Sequence, residues 1–141
     1  MEVKIVNKSN HRLPEYATVG ASGMDLKADI LEPVVLKAKS SVVIPTNIYI
    51  QLPEGCEAQV RGRSGLAFKY DIISHLGTID SDYRGAIGIK LFNLGDNDFV
   101  IKPGERIAQL VIARYEKIEW KEVATLEETE RGEGGFGHTG K

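Results

Sequence analysis

The chain has 141 residues, a length typical of one domain with a single hydrophobic core. Hydrophobic residues make up 42%, charged residues 27%, and the net charge is −2, which excludes a disordered chain and a strongly basic nucleic-acid-binding surface. Glycine is over-represented, because 15 residues are glycine and five of these lie in the last ten positions.

Short runs rich in β-branched residues recur along the chain, and turn signals containing Pro, Gly or Asn separate them. We predict β-strands over residues 3–6, 33–36, 41–44, 47–52, 57–60, 86–92, 99–101, 107–113 and 120–123. In the run 86–92, Ile87, Ile89 and Leu91 share one face, which is expected to enter the core. The spacing of the runs predicts an all-β, jelly-roll-like fold.

Residues 64–70 interrupt the strand pattern. Their sequence, SGLAFKY, places apolar residues at positions 66, 67 and 70 and predicts a short helix capped by Ser64. Free amides at the start of this helix, together with Arg63, would suit an anion. A helix cap flanked by surface arginines explains the same residues.

Two acidic residues, Asp80 and Asp82, lie two positions apart in the segment GTIDSDYRG. An extended backbone would put both carboxylates on one face, as a general base or a site for a hard cation requires. A charged hairpin turn, with Gly85 at a positive φ, explains the same pattern.

The glycine-rich segment 131–141 contains too few apolar residues to pack by itself. It matches the dinucleotide-binding pattern G-x-G-x-x-G, but only four residues follow, too few for the helix that this pattern requires. It also matches the start of the P-loop pattern G-x-x-x-x-G-K, but the Ser or Thr that must follow is missing. The segment suits either a flexible terminus or an arm that grips phosphate through its amides, Arg131 and Thr139, with Phe136 as a stacking surface.

Cys56 is the single cysteine, which excludes an intrachain disulfide and favours a reducing compartment. We expect it to be a small core residue. The three histidines lack the spacing of a metal site. No apolar run suits a signal peptide or a membrane span, so we expect a cytoplasmic protein without a membrane or nucleic-acid partner.

Five segments resemble, in order, the five motifs of the homotrimeric deoxyuridine triphosphatases (dUTPases): residues 21–28, 59–67, 77–85, 104–110 and 131–140. The resemblance implies hydrolysis of dUTP to dUMP and pyrophosphate, which lowers dUTP and supplies dUMP for thymidylate synthesis. It implies a distorted jelly-roll barrel over residues 1–130, a C-terminal arm over 131–141, and a homotrimer with shared active sites. The implied cofactor is Mg²⁺, held mainly by the substrate triphosphate.

The resemblance also assigns roles around the base, the sugar and the reacting phosphate. Asp80 matches the general base, which orients a water for in-line attack on the α-phosphorus. Tyr83 matches the tyrosine that packs beneath the deoxyribose and leaves no space for a 2′-hydroxyl. The hairpin that reads uracil through its backbone is matched by Ser74, Gly77, Thr78, Ile79 and Gly88.

The remaining matched residues concern the phosphates and the metal. Asp25 matches an acid that touches the metal only through water. The phosphate-binding segment is matched by Arg63, Ser64 and Gly65, and the contact near the α-phosphate by Gln109. The arm that folds over a neighbouring subunit's site is matched by Arg131, Phe136, Gly137, His138 and Thr139. The family commonly has serine at the position of His138, and some members have asparagine at that of Ser74.

Two other functions are compatible with parts of this pattern. A dCTP deaminase shares the fold, and ammonia release from dCTP would identify it. A non-catalytic trimer that binds nucleotide or a protein partner is the other alternative, against which the intact Asp80 argues.

Overall fold

The structure, a computed structural model, describes residues 1–135 and contains one helix and short strands. The helix, α1, spans Ser64–Tyr70. The strands are β1 (Lys4–Asn7), β2 (Met24–Lys27), β3 (Val34–Leu36), β4 (Ser41–Pro45), β5 (Ile48–Gln51), β6 (Cys56–Arg61), β7 (Ile72–Ser74), β8 (Gly77–Ile79), β9 (Gly88–Asn93), β10 (Phe99–Ile101) and β11 (Arg106–Arg114).

The strands form two larger sheets and two ribbons, and every pairing within residues 1–135 is antiparallel. The largest sheet has the order β2-β11-β6-β8, and the second has the order β4-β9-β7. The ribbons pair β1 with β5 and β10 with β3. The predicted all-β class with one short helix is confirmed.

Buried and exposed residues alternate along the strands, and the buried apolar residues form a single hydrophobic core. Ile89 and Leu91 have no exposed surface and Ile87 is 3% exposed, so the predicted inward face of this strand is confirmed. Cys56 is likewise buried in this cluster, as expected for a small core residue.

The helix occupies the predicted residues, but its predicted cap is wrong. Ser64 is the first helical residue, and the N-cap is Arg63, which makes no side-chain cap bond. The Arg63 carbonyl instead accepts the amides of Leu66 and Ala67, both at 3.1 Å. The helix ends at Tyr70, and the C-cap residue Asp71 has a left-handed backbone (φ 56°) whose N–H donates to the Ala67 carbonyl.

The strand predicted over residues 120–123 is wrong. After Arg114, the described chain forms neither strand nor helix, and Trp120 is 91% exposed. A strand requires a pairing partner, and the described part of this single chain provides none for the segment. The list of predicted strands missed β2, β7 and β8, because elements of three or four residues are too short to show alternation.

A register shift between Arg106 and Ala108 marks a β-bulge where β11 pairs with β2. The consecutive residues Ile107 and Ala108 are therefore both buried, while Arg106 turns outward. Beyond the bulge, Gln109 lies opposite Asp25 on one side. On the other side it lies opposite Arg61 of β6.

The core assignment predicts the effect of truncating Ile89. Ile89→Ala is expected to lower the free energy of unfolding by about 2–5 kcal/mol, because it leaves a cavity at a site with no exposed surface. Val43→Ala, on the solvent face of the neighbouring strand β4, is the control and is expected to change it by less than about 0.5 kcal/mol. Urea unfolding at fixed subunit concentration measures both, and equal losses would contradict the assignment.

Candidate active site

One cavity, with a volume of about 210 Å³, gathers six of the residues singled out in the sequence. They are Gly77, Thr78, Ile79, Asp80, Tyr83 and Gly88. Val60, Ala86 and Ile87 complete its lining. We call this the base cavity.

The base cavity lies where two strand edges diverge. Strand β8 is the terminal strand of its sheet and pairs with β6 on one edge only, with Gly77 opposite Val60. Strand β9 pairs with β7 from Leu91 to Asn93, so this pairing ends before Gly88. Strand edges carry backbone donors and acceptors at fixed positions. A cavity between two such edges can recognise a planar base through the main chain.

A short loop, residues 80–86, carries Asp80 and Tyr83. The Tyr83 amide donates to the Asp80 carbonyl at 3.1 Å, and the Tyr83 hydroxyl donates to the Ala86 carbonyl at 3.1 Å. The Arg84 guanidinium donates to the carbonyls of Ser81, at 2.7 Å, and Tyr83, at 2.8 Å. The Tyr83 amide bond and the two Arg84 bonds hold the backbone beside the acid, whereas the hydroxyl bond fixes the Tyr83 ring.

Asp80 itself is exposed at the boundary of two cavities. The second cavity, of about 500 Å³, also contains Asp82, Glu54 and Lys117. Asp82 therefore lies outside the base cavity. Within residues 1–135 no three His, Cys, Asp or Glu side chains form a group that could hold a metal ion.

A second group of candidate residues forms an ionic cluster around Asp25. The Nε atom of Arg63 lies 3.0 Å from Asp25 Oδ1, and Nη1 of Arg106 lies 3.1 Å from Oδ2. Nη1 of Arg63 also donates to the Arg106 carbonyl at 2.9 Å. Each carboxylate oxygen thus has its own guanidinium partner, and the cluster ties the N-cap of α1 to β2 and β11.

Gln109 extends this cluster toward the start of α1. Its Nε2 donates to the Gly62 carbonyl at 2.9 Å. A Cβ atom at Gly23 would stand 2.4 Å from Gln109 Oε1, so the glycine provides the space for this side chain. Ser64 and Gly65 are exposed at the first turn of α1, whose leading amides have no partner within the helix.

Three predictions about individual residues have different outcomes. Ser74 does not line the base cavity: it is 8% exposed, and its Oγ has no hydrogen-bond partner within the described residues. Arg131 lies in a local turn, where its Nε donates to the Gly134 carbonyl at 2.7 Å. Gly85 does not have the positive φ that a hairpin turn would require. Four predicted residues lie outside the described residues: Phe136, Gly137, His138 and Thr139.

Sequence reasoning missed Arg106, although it lies only three residues before Gln109. In a regular strand, residues three apart point to opposite faces, so the pattern gave no reason to place the two side chains in one cluster. The bulge after Arg106 removes that restriction. The only sequence signal for the bulge is that the charged Arg106 is followed by two consecutive apolar residues, Ile107 and Ala108.

The two groups lie far apart in one chain. Ile79 opposes Ala58, so Asp80 is level with Glu57, whereas Gln109 opposes Arg61. Four residues along β6 and two strand spacings across the sheet combine to a separation of about 16 Å between the Asp80 and Gln109 backbones. Neither side chain spans such a distance.

An antiparallel β domain with a cavity between strand edges, an acid at its rim and a separate arginine cluster suits a protein that binds a nucleotide. Comparison with known proteins gives the family. The dUTPase family model matches residues 9–140. A curated relative from Finegoldia magna, named deoxyuridine 5'-triphosphate nucleotidohydrolase, is 53% identical over 142 aligned positions that cover 99% of both chains.

Solved structures agree. The dUTPase of Staphylococcus bacteriophage 80alpha with dUPNHPP has a TM-score of 0.86 and 31% identity, covering 99% of both chains. A mutant dUTPase of Staphylococcus aureus phage phi11, described with a structural Mg(II) ion, has a TM-score of 0.82 and 25% identity, covering 91% of this chain and all of that one. The chain belongs to the dUTPase family, and its fold is that of the dUTPases.

No helix in residues 1–135 is long and apolar enough to cross a membrane.

The close approach of Gly23 and Gln109 predicts a specific displacement. Gly23→Ala is expected to expel the Gln109 amide from its bond to Gly62, because the added Cβ would stand 2.4 Å from Oε1. The side-chain NH₂ resonances of Gln109 should then shift toward those of a solvent-exposed glutamine. Gly20→Ala is the matched control, since a Cβ there meets nothing within 4 Å. Unchanged Gln109 resonances in Gly23→Ala would contradict the described packing.

Proposed function

We propose that this chain hydrolyses dUTP to dUMP and pyrophosphate at active sites completed between the subunits of a homotrimer. The observation that carries the proposal is the base cavity, which brings the motif-matched acid Asp80 and the motif-matched Tyr83 to the same opening. Family membership supports the substrate, and the 80alpha relative was solved with an analogue of dUTP. The reaction lowers dUTP and yields dUMP for thymidylate synthesis.

The proposed chemical step is in-line attack by water on the α-phosphorus. As the bond between the water oxygen and phosphorus forms, the Asp80 carboxylate takes the proton from the water. The bond from the α-phosphorus to the bridging oxygen breaks, and pyrophosphate leaves with that bonding electron pair. A positioned general base contributes typically 10²–10⁴-fold to the rate. The hydrogen bonds of the 80–86 loop hold Asp80 for this role.

In this proposal the main chain of the base cavity selects the base, and the ring of Tyr83 selects the sugar. The edges at Gly77, Thr78, Ile79 and Gly88 supply fixed donors and acceptors for uracil, so cytosine would meet donors where it needs acceptors. Tyr83 lies against the deoxyribose. A 2′-hydroxyl buried there without a partner would cost about 1–3 kcal/mol.

The phosphates bind at the Asp25 cluster of another subunit in this proposal. Arg63 supplies a guanidinium held in place by Asp25 Oδ1 and by the Arg106 carbonyl. Ser64 and Gly65 supply exposed groups at the first turn of α1, and Gln109 contacts the α-phosphate. The motif match assigns Arg131, Phe136, Gly137, His138 and Thr139 to the arm that acts at a neighbouring subunit's site, with Phe136 on uracil.

The surroundings of Asp25 fit a magnesium ion that is held by the triphosphate and by water. Both oxygens of Asp25 are already paired with guanidinium groups, so Asp25 fits a contact through water better than direct ligation. Mg²⁺ also gives up its water reluctantly and is commonly held through substrate phosphates. When bound, the ion would neutralise charge on the phosphate oxygens.

Two observations support assembly between subunits. The first is the separation of Asp80 from Gln109 within one chain, which places the acid and the arginine cluster at different parts of the subunit. The second is unpartnered apolar surface. A cavity of about 480 Å³ is lined mainly by apolar residues, among them Val3, Leu13 and Ile112. The segment after Arg114 also exposes large apolar residues, namely Ile118, Trp120, Val123 and Leu126.

In this proposal both surfaces lie at contacts between copies of the chain. Within residues 1–135 the 120–123 segment has no pairing partner, and burial against another subunit would cover its exposed apolar side chains. Exposed apolar area of this kind marks protein–protein contacts. Trimerisation therefore accounts for both the incomplete site and the uncovered surface.

Pyrophosphate release from dUTP tests the proposed function directly. Asp80→Asn is expected to lower kcat at least about 10²-fold while dUTP binding persists, because the amide cannot accept the proton from water. Asp82→Asn is the matched control and should retain most of the activity, since Asp82 lies outside the base cavity. Retention of more than about a tenth of the wild-type kcat by Asp80→Asn would overturn the assignment of the general base.

A further inference from the structure

The ring of Tyr83 occupies space that only a glycine at position 85 leaves open. A Cβ atom at Gly85 would stand 2.2 Å from the Tyr83 hydroxyl oxygen, 2.4 Å from Cζ and 2.9 Å from Cε2. Contacts this short are essentially never made by a real Cβ. Any other residue at position 85 must therefore displace the ring or the backbone.

The backbone conformation does not explain this glycine. Within residues 1–135 the glycines with positive φ are Gly55, Gly104 and Gly132, and Gly85 is not among them. An alanine could adopt the backbone conformation of residue 85 without the strain of the left-handed region. The packing of the tyrosine ring is therefore the reason for glycine here.

The same packing determines where the ring points. The ring folds back over Gly85, and its hydroxyl donates to the Ala86 carbonyl at 3.1 Å. Ala86 and Tyr83 both line the base cavity. The orientation of this wall of the cavity thus depends on residue 85, which does not itself line it.

We infer that Gly85 is a positioning residue for sugar specificity: it lets Tyr83 take the orientation that excludes a 2′-hydroxyl. The inference rests on the proposed function, in which Tyr83 lies against the deoxyribose. Gly85 contributes no group to the substrate and acts only through the ring.

The ring, rather than the fold, absorbs the change in Gly85→Ala. Tyr83 is 45% exposed, and the atoms nearest to the new Cβ are at the far end of its side chain. Rotation of the ring into solvent relieves the contact and forfeits the bond to Ala86. The cavity then loses the wall that leaves no space for a ribose hydroxyl, while the Tyr83 amide still donates to the Asp80 carbonyl.

The test compares dUTP and UTP as substrates of the full-length enzyme. In Gly85→Ala, the ratio of kcat/KM for dUTP to that for UTP is expected to fall about tenfold or more. The kcat for dUTP should stay within about threefold of wild type, because Asp80 and its backbone bond are retained. Gly20→Ala, with open space around its Cβ, should leave the ratio unchanged.

A double-mutant cycle separates action through the ring from a general structural effect. Tyr83→Ala should lower the ratio by itself, and adding Gly85→Ala to it should cause no further loss, because the two residues act as one unit. Three outcomes would overturn the inference. The ratio could stay unchanged in Gly85→Ala, or adding Gly85→Ala to Tyr83→Ala could lower the ratio as much as it does in the wild-type background. The third is a Gly85→Ala protein that fails to fold. Failure of the wild-type enzyme to hydrolyse dUTP would instead refute the proposed function, so the two failures are distinguishable.

Discussion

The β2-β11-β6-β8 sheet holds Asp80 and Gln109 about 16 Å apart, and the functional architecture follows from that spacing. Asp80 continues an edge strand, whereas Gln109 lies two strands away and nearer the opposite end of β6. Backbone pairing fixes these positions, and no side-chain rotation can change them. In the proposed function, a second copy of the chain brings its arginine cluster to the acid of the first.

Glycine serves this site mainly through close packing. Gly23 lets the Gln109 amide reach the Gly62 carbonyl, and Gly85 lets Tyr83 lie back over its own loop. At both positions the nearest atom to a hypothetical Cβ belongs to a side chain of the proposed site. The glycine surplus seen in the composition is thus partly a set of spaces for functional side chains, one in each half of the site.

The parts of the fold that could be predicted are those in which sequence and contact are local. Residues 86–92 alternate regularly, and their buried face was predicted correctly. The helix at 64–70 follows from its apolar spacing, although the Arg63 backbone caps it instead of the Ser64 side chain. The 120–123 prediction failed because strand formation needs a partner, which local sequence cannot supply. Arg106 was missed because a bulge changes the direction of its side chain.

In the proposed function, Asp80 and the Arg63 cluster act on the same substrate from different subunits. Asp80→Asn and Arg63→Ala trimers should each be nearly inactive. After the two are mixed, unfolded and refolded together in equal amounts, about a quarter of the sites should pair an intact Asp80 with an intact Arg63 across a head-to-tail interface. Recovery of about a quarter of wild-type pyrophosphate release from dUTP is therefore the predicted result. Mixed trimers that regain no activity would contradict the account, because every single chain in the mixture carries one defect.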